Sequence, residues 1–209
     1  SPTALAGQTP VSVNTPIFKV IVAGEGGVGK SSIVRRFVTN LSCEPVMTVG
    51  SEFAYREIDV AGQRLGLSIW DFGGEERFRE LMPILCLGAH GALVVFDLTR
   101  YSTFVQLRFW LDIVHSTTNS IPVILIGAKC DLPGGPADEE IKQFCHEQRI
   151  SAYFPVSARE GINVDAVFTH MAQLVYEATQ KGFITPAFST KPDTEKPPSE
   201  ALEAPIAQP

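Results

Sequence analysis

Cysteine is scarce in this chain: four occur in 209 residues, at Cys43, Cys86, Cys130 and Cys145. No CxxC pair and no cysteine–histidine run with zinc spacing is present, so they read as reduced thiols of a reducing compartment. The four histidines are equally scattered and read as structural or surface residues. An excess of positive charge is also missing. Lys and Arg number 17 against 23 Asp and Glu, a net charge of −6. That balance argues against a nucleic-acid partner and against polybasic attachment to a membrane. No apolar stretch is long enough to span a bilayer, and no signal peptide is visible.

What is present suits one globular domain. Hydrophobic residues make up 44% of the chain, and 209 residues leave room for a good core. Both ends read as unfolded. Residues 1–16 are small, polar and proline-bearing, and residues 183–209 carry Pro192, Pro197, Pro198, Pro205 and Pro209 with mixed charge. The globular part is therefore 17–182. In it, expected strands at 17–23, 52–60, 64–71, 91–97, 121–128 and 152–157 alternate with expected helices at 30–38, 76–86, 102–116, 136–148 and 163–180. Ser102 and Asn163 suit helix N-caps. The tight Ala61-Gly62 turn pairs the second and third strands antiparallel. Such alternation predicts an α/β fold with a mostly parallel sheet covered on both faces and a ligand outside the strands' carboxyl ends.

The sharpest motif is Gly24-Glu25-Gly26-Gly27-Val28-Gly29-Lys30-Ser31, which fits the phosphate-binding loop G-x-x-x-x-G-K-[ST] between a strand and a helix. Its glycines let successive backbone N–H groups curl around an anion, and the helix N-terminus adds its positive end. Lys30 can reach outer phosphates, and the Ser31 hydroxyl can ligate Mg²⁺. Downstream, the strand Leu67-Ser68-Ile69-Trp70 ends in Asp71, which can hold Mg²⁺ through water. Gly74 then lets the backbone approach a terminal phosphate. The strand Ile124-Leu125-Ile126-Gly127-Ala128 ends in Lys129-Cys130-Asp131, and Asp131 can accept two N–H bonds from guanine. Ser157-Ala158-Arg159, closing another strand, offers backbone N–H groups to a base carbonyl.

In this order the motifs resemble those of the Ras superfamily of small GTPases, most closely the Rab branch. Trp70-Asp71-Phe72-Gly73-Gly74-Glu75-Glu76-Arg77-Phe78-Arg79 is similar to the Rab switch II string WDTAGQERFR. Gly88-Ala89-His90-Gly91, Phe96-Asp97-Leu98-Thr99 and Thr48-Val49-Gly50-Ser51-Glu52-Phe53 sit where Rab proteins carry similar strings. The likeness spans Ile17 to Lys181. It implies a P-loop NTPase G domain, with a six-stranded sheet, one strand antiparallel, and helices on both faces. The implied ligands are GTP or GDP with Mg²⁺, the metal held by Ser31, Thr48 and, through water, Asp71. Implied nucleotide contacts come from Gly26, Gly27, Val28, Gly29, Lys30, Ser31, Ser32, Thr48, Gly74, Lys129, Asp131, Leu132, Ser157, Ala158 and Arg159. Lys30, Gly74 and Glu75 take the catalytic positions. Phe53, Trp70 and Leu85 take those of the aromatic triad that meets effectors, although Phe53 also fits plain strand core. Effector, activating and exchange proteins would engage switch I and switch II. The implied location is cytoplasmic.

The chain departs from the family pattern at several points. Glu75 stands where the family has its water-positioning Gln. Phe72 and Gly73 replace a threonine and an alanine, and Ala128 replaces the Asn of NKxD. Switch I is one residue short, Leu41 and Ser42 supply no aromatic for the guanine, and Leu85 replaces the third aromatic of the triad. No cysteine follows Cys145 to take the lipid that Rab proteins carry: either the segment that bears it lies beyond this sequence, or the protein is not anchored by lipid. Two functions stay open on the residues alone: a switch that hydrolyses GTP slowly, and an interaction module that holds nucleotide with little turnover. A kinase or ATPase is disfavoured by Asp131 and Ser157-Ala158.

Overall fold

The computed structural model describes residues 14–40, 51–73 and 79–189. Its strands are β1 (Thr15–Ala23), β2 (Ser51–Val60), β3 (Gln63–Phe72), β4 (Gly91–Asp97), β5 (Val123–Ala128), β6 (Ala152–Val156) and β7 (Ala187–Ser189). Its helices are α1 (Lys30–Thr39), α2 (Met82–Leu85), α3 (Tyr101–Val105), α4 (Leu107–Thr117), α5 (Asp138–Glu147) and α6 (Val164–Gln180). The main sheet runs β2-β3-β1-β4-β5-β6. It is parallel throughout except for β2, which pairs antiparallel with β3 from Ser51↔Phe72 to Val60↔Gln63. Ala61 and Gly62 both have positive φ, at 50° and 79°, the conformation a two-residue hairpin turn needs to match strand twist.

Strand alternation divides the interior into two cores. Val20 and Val22 of β1, Leu67 and Ile69 of β3, Leu93 and Val95 of β4 and Ile124 and Ile126 of β5 face α1 and α6, with Phe37 stacked on Phe168. The residues between them, Ile21, Phe72, Val94, Phe96 and Leu125, face α2 to α5 around Trp110. β4 and β5 are buried at every position, as strands covered on both faces must be.

Several expected boundaries shift, each for a local reason. Of the expected helix 76–86, residues 76–78 lie outside the described residues; beyond the helical Arg79 the chain turns and resumes as the short α2, since Pro83 has no N–H for a continuous helix and its ring opposes the carbonyl four residues back. The expected helix 102–116 breaks at Gln106, where the Phe109 N–H bonds the Gln106 carbonyl in a 3₁₀-type turn. Ser102 is not an N-cap, since helix begins at Tyr101. Asn163 holds the N-cap position of α6 but in a left-handed conformation, and its amide donates to the Pro155 carbonyl at 2.8 Å instead of capping.

The larger correction is the seventh strand. Residues 187–189, within the segment expected to be unfolded, pair antiparallel with Thr15, Pro16 and Ile17, which lengthens β1 by two residues. β4 pairs with β1 only from Val20 onward, which leaves the start of β1 open on that side. His90 fills the gap between. Its Nδ1 accepts the Lys19 backbone N–H at 2.8 Å, so the proton sits on Nε2, which donates to the Thr185 carbonyl at 2.8 Å.

That bridge requires neutral histidine. Burial holds His90 below its usual value, opposed by the Thr185 bond and reinforced by the Lys19 ammonium. The unfolded chain therefore takes up the proton first as pH falls. The stability of the bridge is complete above about pH 6.5 and is lost as pH drops through the folded value of His90. Hydrogen exchange over 183–189, corrected for intrinsic rates, is expected to lose protection between pH 7 and pH 5. His90→Phe should show the low protection at every pH. Protection in the parent that ignores pH would mean that His90 does not hold the strand.

Candidate functional site

The carboxyl ends of β1, β3, β4, β5 and β6 converge on one rim, and each delivers a motif there. At the end of β1 the chain turns through Gly24, Gly27 and Gly29, with φ of 148°, 74° and 106°. A Cβ on Gly24 would lie 2.2 Å from the Val95 carbonyl oxygen, so the loop is seated directly on β4. Val28 is fully buried, and α1 starts at Lys30 with its first N–H groups uncapped by any side chain. Lys30 is 5% exposed, and its ammonium donates to the Gly24 and Glu25 carbonyls at 2.9 and 2.8 Å. Burial pulls its pKa down to about 8, against the attraction of Asp71 and Glu25.

One residue along, the Ser31 hydroxyl bonds the Asp71 carboxylate, and both residues are buried. A hydroxyl and a carboxylate beside a phosphate cradle are hard oxygen donors, the set Mg²⁺ takes when phosphate and water complete its shell. These residues fit the metal. Thr48, Gly74 and Glu75, assigned to the metal, the terminal phosphate and catalysis, lie outside the described residues, as do Leu41 and Ser42.

On the base side, Lys129 adopts a left-handed conformation, φ 65°, and Asp131 and Leu132 are exposed beyond it. The Cys130 N–H bonds the Val156 carbonyl at 3.1 Å, which joins this loop to the Ser157-Ala158-Arg159 loop. Ser157 is buried and exchanges backbone bonds with Ile162, while its hydroxyl accepts the Glu160 N–H at 3.1 Å. The base-side and phosphate-side residues are thus brought together in space.

Sequence reasoning missed the residue that joins them. The Asp97 side chain, fully buried at the end of β4, accepts Lys129 Nζ at 2.6 Å, the Thr99 N–H and hydroxyl at 2.8 and 2.6 Å, and Arg100 Nε at 3.3 Å. Burial by itself would raise its pKa, but the Lys129 and Thr99 bonds prevail and hold the carboxyl below the usual range. The signal was available: β4 ends in an acid, and β3 carries one next to its last residue. Lys129 Nζ also donates to the Gly27 carbonyl at 3.2 Å, and Arg100 Nη2 to the Gly26 carbonyl at 2.9 Å.

A second cluster surrounds the loop's own acid. Glu25 Oε1 accepts Arg79 Nη2 at 2.6 Å and Trp110 Nε1 at 3.2 Å, and the Arg79 guanidinium lies 4.7 Å from the Phe109 ring centre. An apolar surface opens where β2 pairs with β3. Phe53 is 61% exposed and meets Trp70 edge to face at 4.4 Å, while the Lys19 ammonium covers Trp70. Leu85 and Trp70 are both half-buried against the α2–α5 core. The described cysteines, Cys86, Cys130 and Cys145, are free thiols.

With this geometry in place, the likeness to known proteins is informative. The family model for the Ras family matches residues 19–177. The Ras-related protein Rab-32C of Dictyostelium discoideum is 33% identical over 167 residues, 78% of this chain and 75% of its own length. The Ras-related proteins RIC2 of Oryza sativa subsp. japonica and RABA1h of Arabidopsis thaliana are each 38% identical, over 168 and 169 residues, 79% of this chain and 77% of theirs.

The seating of the loop on β4 can be tested by adding one methyl group. Gly24→Ala combines a disfavoured φ with a collision against backbone and is expected to cost about 3 kcal/mol or more in urea unfolding. Gly88→Ala, whose φ is 73° but whose added Cβ would meet nothing within 4 Å, should cost only about 1–2 kcal/mol. Equal losses would show that the loop does not rest on Val95.

Proposed function

The chain belongs to the Ras family of small GTPases, and on that premise we propose that it is a Rab-like switch that binds GTP or GDP with Mg²⁺ and hydrolyses GTP slowly. The observation that carries the proposal is the Lys129 ammonium, which bonds the Gly27 carbonyl of the phosphate loop and so joins the two halves of a guanine nucleotide site. Ser31 and Asp71 would hold Mg²⁺, which when bound neutralises charge on the phosphate oxygens. Asp131 would accept the guanine N–H groups, and the Ala158 N–H would donate to its carbonyl. Thr48 and Gly74 would answer to the third phosphate, so that the surface around Phe53, Trp70 and Leu85 differs between nucleotide states. Effector, activating and exchange proteins would read that surface. We place the protein in the cytoplasm, with peripheral membrane contact made through partners or through a segment outside this sequence. In keeping with this, no helix among the described residues is long and apolar enough to cross a membrane.

The second reading, a module that holds nucleotide and rarely turns it over, draws on Glu75. A carboxylate beside a triphosphate is repelled unless it serves as a proton acceptor or turns away. Single-turnover hydrolysis of bound GTP separates the two. The parent is expected to turn over slowly, and Glu75→Ala to lower the rate while leaving GDP affinity nearly unchanged. An alanine variant as fast as the parent favours the holding module. Lys30→Ala is expected to abolish tight binding on either reading, because the phosphates lose their closest cation.

Ala128 generates a separate expectation. It is buried, and its Cβ lies 3.9 Å from where a Cβ on Gly29 would be, so a side chain at 128 faces the phosphate loop. Alanine forgoes a polar tie worth on the order of 1–3 kcal/mol. GDP should leave faster than from a typical Rab protein, and Ala128→Asn should slow release several-fold, read with a fluorescent GDP analogue. Release that is unchanged or faster would show that another group closes the pocket.

A further inference from the structure

Four consecutive carbonyls of the phosphate loop each accept a bond from a cation. Those of Gly24 and Glu25 accept from Lys30 inside the loop. Those of Gly26 and Gly27 accept from Arg100 and Lys129, and both of these cations rest on the buried Asp97 carboxylate. Every described peptide bond is trans. In a planar trans peptide the carbonyl of one residue and the N–H of the next point in opposite directions. Holding the Gly26 and Gly27 carbonyls toward the Asp97 side therefore aims the N–H groups of Gly27 and Val28 to the other side, the concave face of the loop. Glycine resists such aiming poorly by itself, because it visits both signs of φ with little cost.

We propose that Arg100 is a positioning residue for the nucleotide's phosphates. Fixed by Asp97, it turns the Gly26–Gly27 peptide so that its N–H group meets the anion, and with Lys129 it sets the cradle that glycines alone would leave mobile. The inference deepens the nucleotide-switch reading and rests on it. The geometry favours this role over a plain surface ion pair. Arg100 reaches 74 residues back along the chain to a loop carbonyl, and its terminal nitrogen lies 3.7 Å from where a Cβ on Gly27 would be. Its carboxylate partner is fully buried, so the pair is anchored on one side instead of free in solvent.

The experiment compares the full-length parent, Arg100→Ala and Arg100→Lys for GDP dissociation rate and for GDP and GMP affinities. Losing a hydrogen bond from a charged donor to the loop should speed GDP release about tenfold or more in Arg100→Ala. Affinity for GDP should fall more than affinity for GMP, because the second phosphate depends most on the loop. Arg100→Lys keeps a donor and a charge near Asp97 and should recover most of the retention. The inference is overturned by an alanine variant that releases GDP at the parent rate. It is equally overturned if GDP and GMP weaken by the same factor, or if lysine gives no rescue, since either result marks a general structural defect. A parent that does not retain GDP sinks the nucleotide reading itself. A parent that retains it leaves the decision to Arg100.

Discussion

Burial of the central strands on both faces is the constraint from which the rest follows. β4 and β5 expose no residue, and β1 is buried from Val20 to Ala23. A charge left unpaired in such an interior costs several kcal/mol, so polar side chains are driven to the strand ends. In a parallel sheet those ends line up on one side. The glycine loop, Asp71, Asp97, Lys129 and Ser157 therefore share a rim although they are scattered over more than 130 residues of sequence.

At that rim the acids are tolerable because each arrives with partners. Asp71 receives the Ser31 hydroxyl, and Asp97 receives a lysine, an arginine and a threonine. The phosphate loop gains its shape from three directions. Val95 supports it from below, the Asp97 cluster takes its carbonyls on the base side, and Glu25 binds Arg79 and Trp110 on the other side. That last contact makes the loop a joint between α4 and the segment ahead of α2.

Much of this was legible in the sequence. The phosphate loop announces itself because cradling an anion demands small residues and a following helix, and the buried parallel strands announce themselves as unbroken apolar runs. Asp71, near the end of β3, and Asp131, just after β5, were readable for the same reason, since each stands where such a run gives way to polar residues. Asp97 had the same signature and was passed over, since only its neighbours in space reveal that it binds two cations. Arg100 and Arg79 look like ordinary surface arginines. Their roles depend on contacts 74 and 54 residues away. The short β7 was hidden by Pro186 and a polar, proline-rich surrounding, and it forms because β1 has an open edge that no local pattern can show.

The sequence by itself determined the fold class, the place of the phosphate loop, the antiparallel β2–β3 hairpin and the family. Those properties rest on local periodicity, turn chemistry and motif spacing. Only the tertiary structure decided which cation meets which carbonyl, that His90 ties Thr185 and the strand after it to β1, and that Phe53 faces outward while Trp70 is half covered. These outcomes depend on the geometry with which distant strands and helices pack, and a hydrogen bond between residues far apart in sequence leaves no local trace.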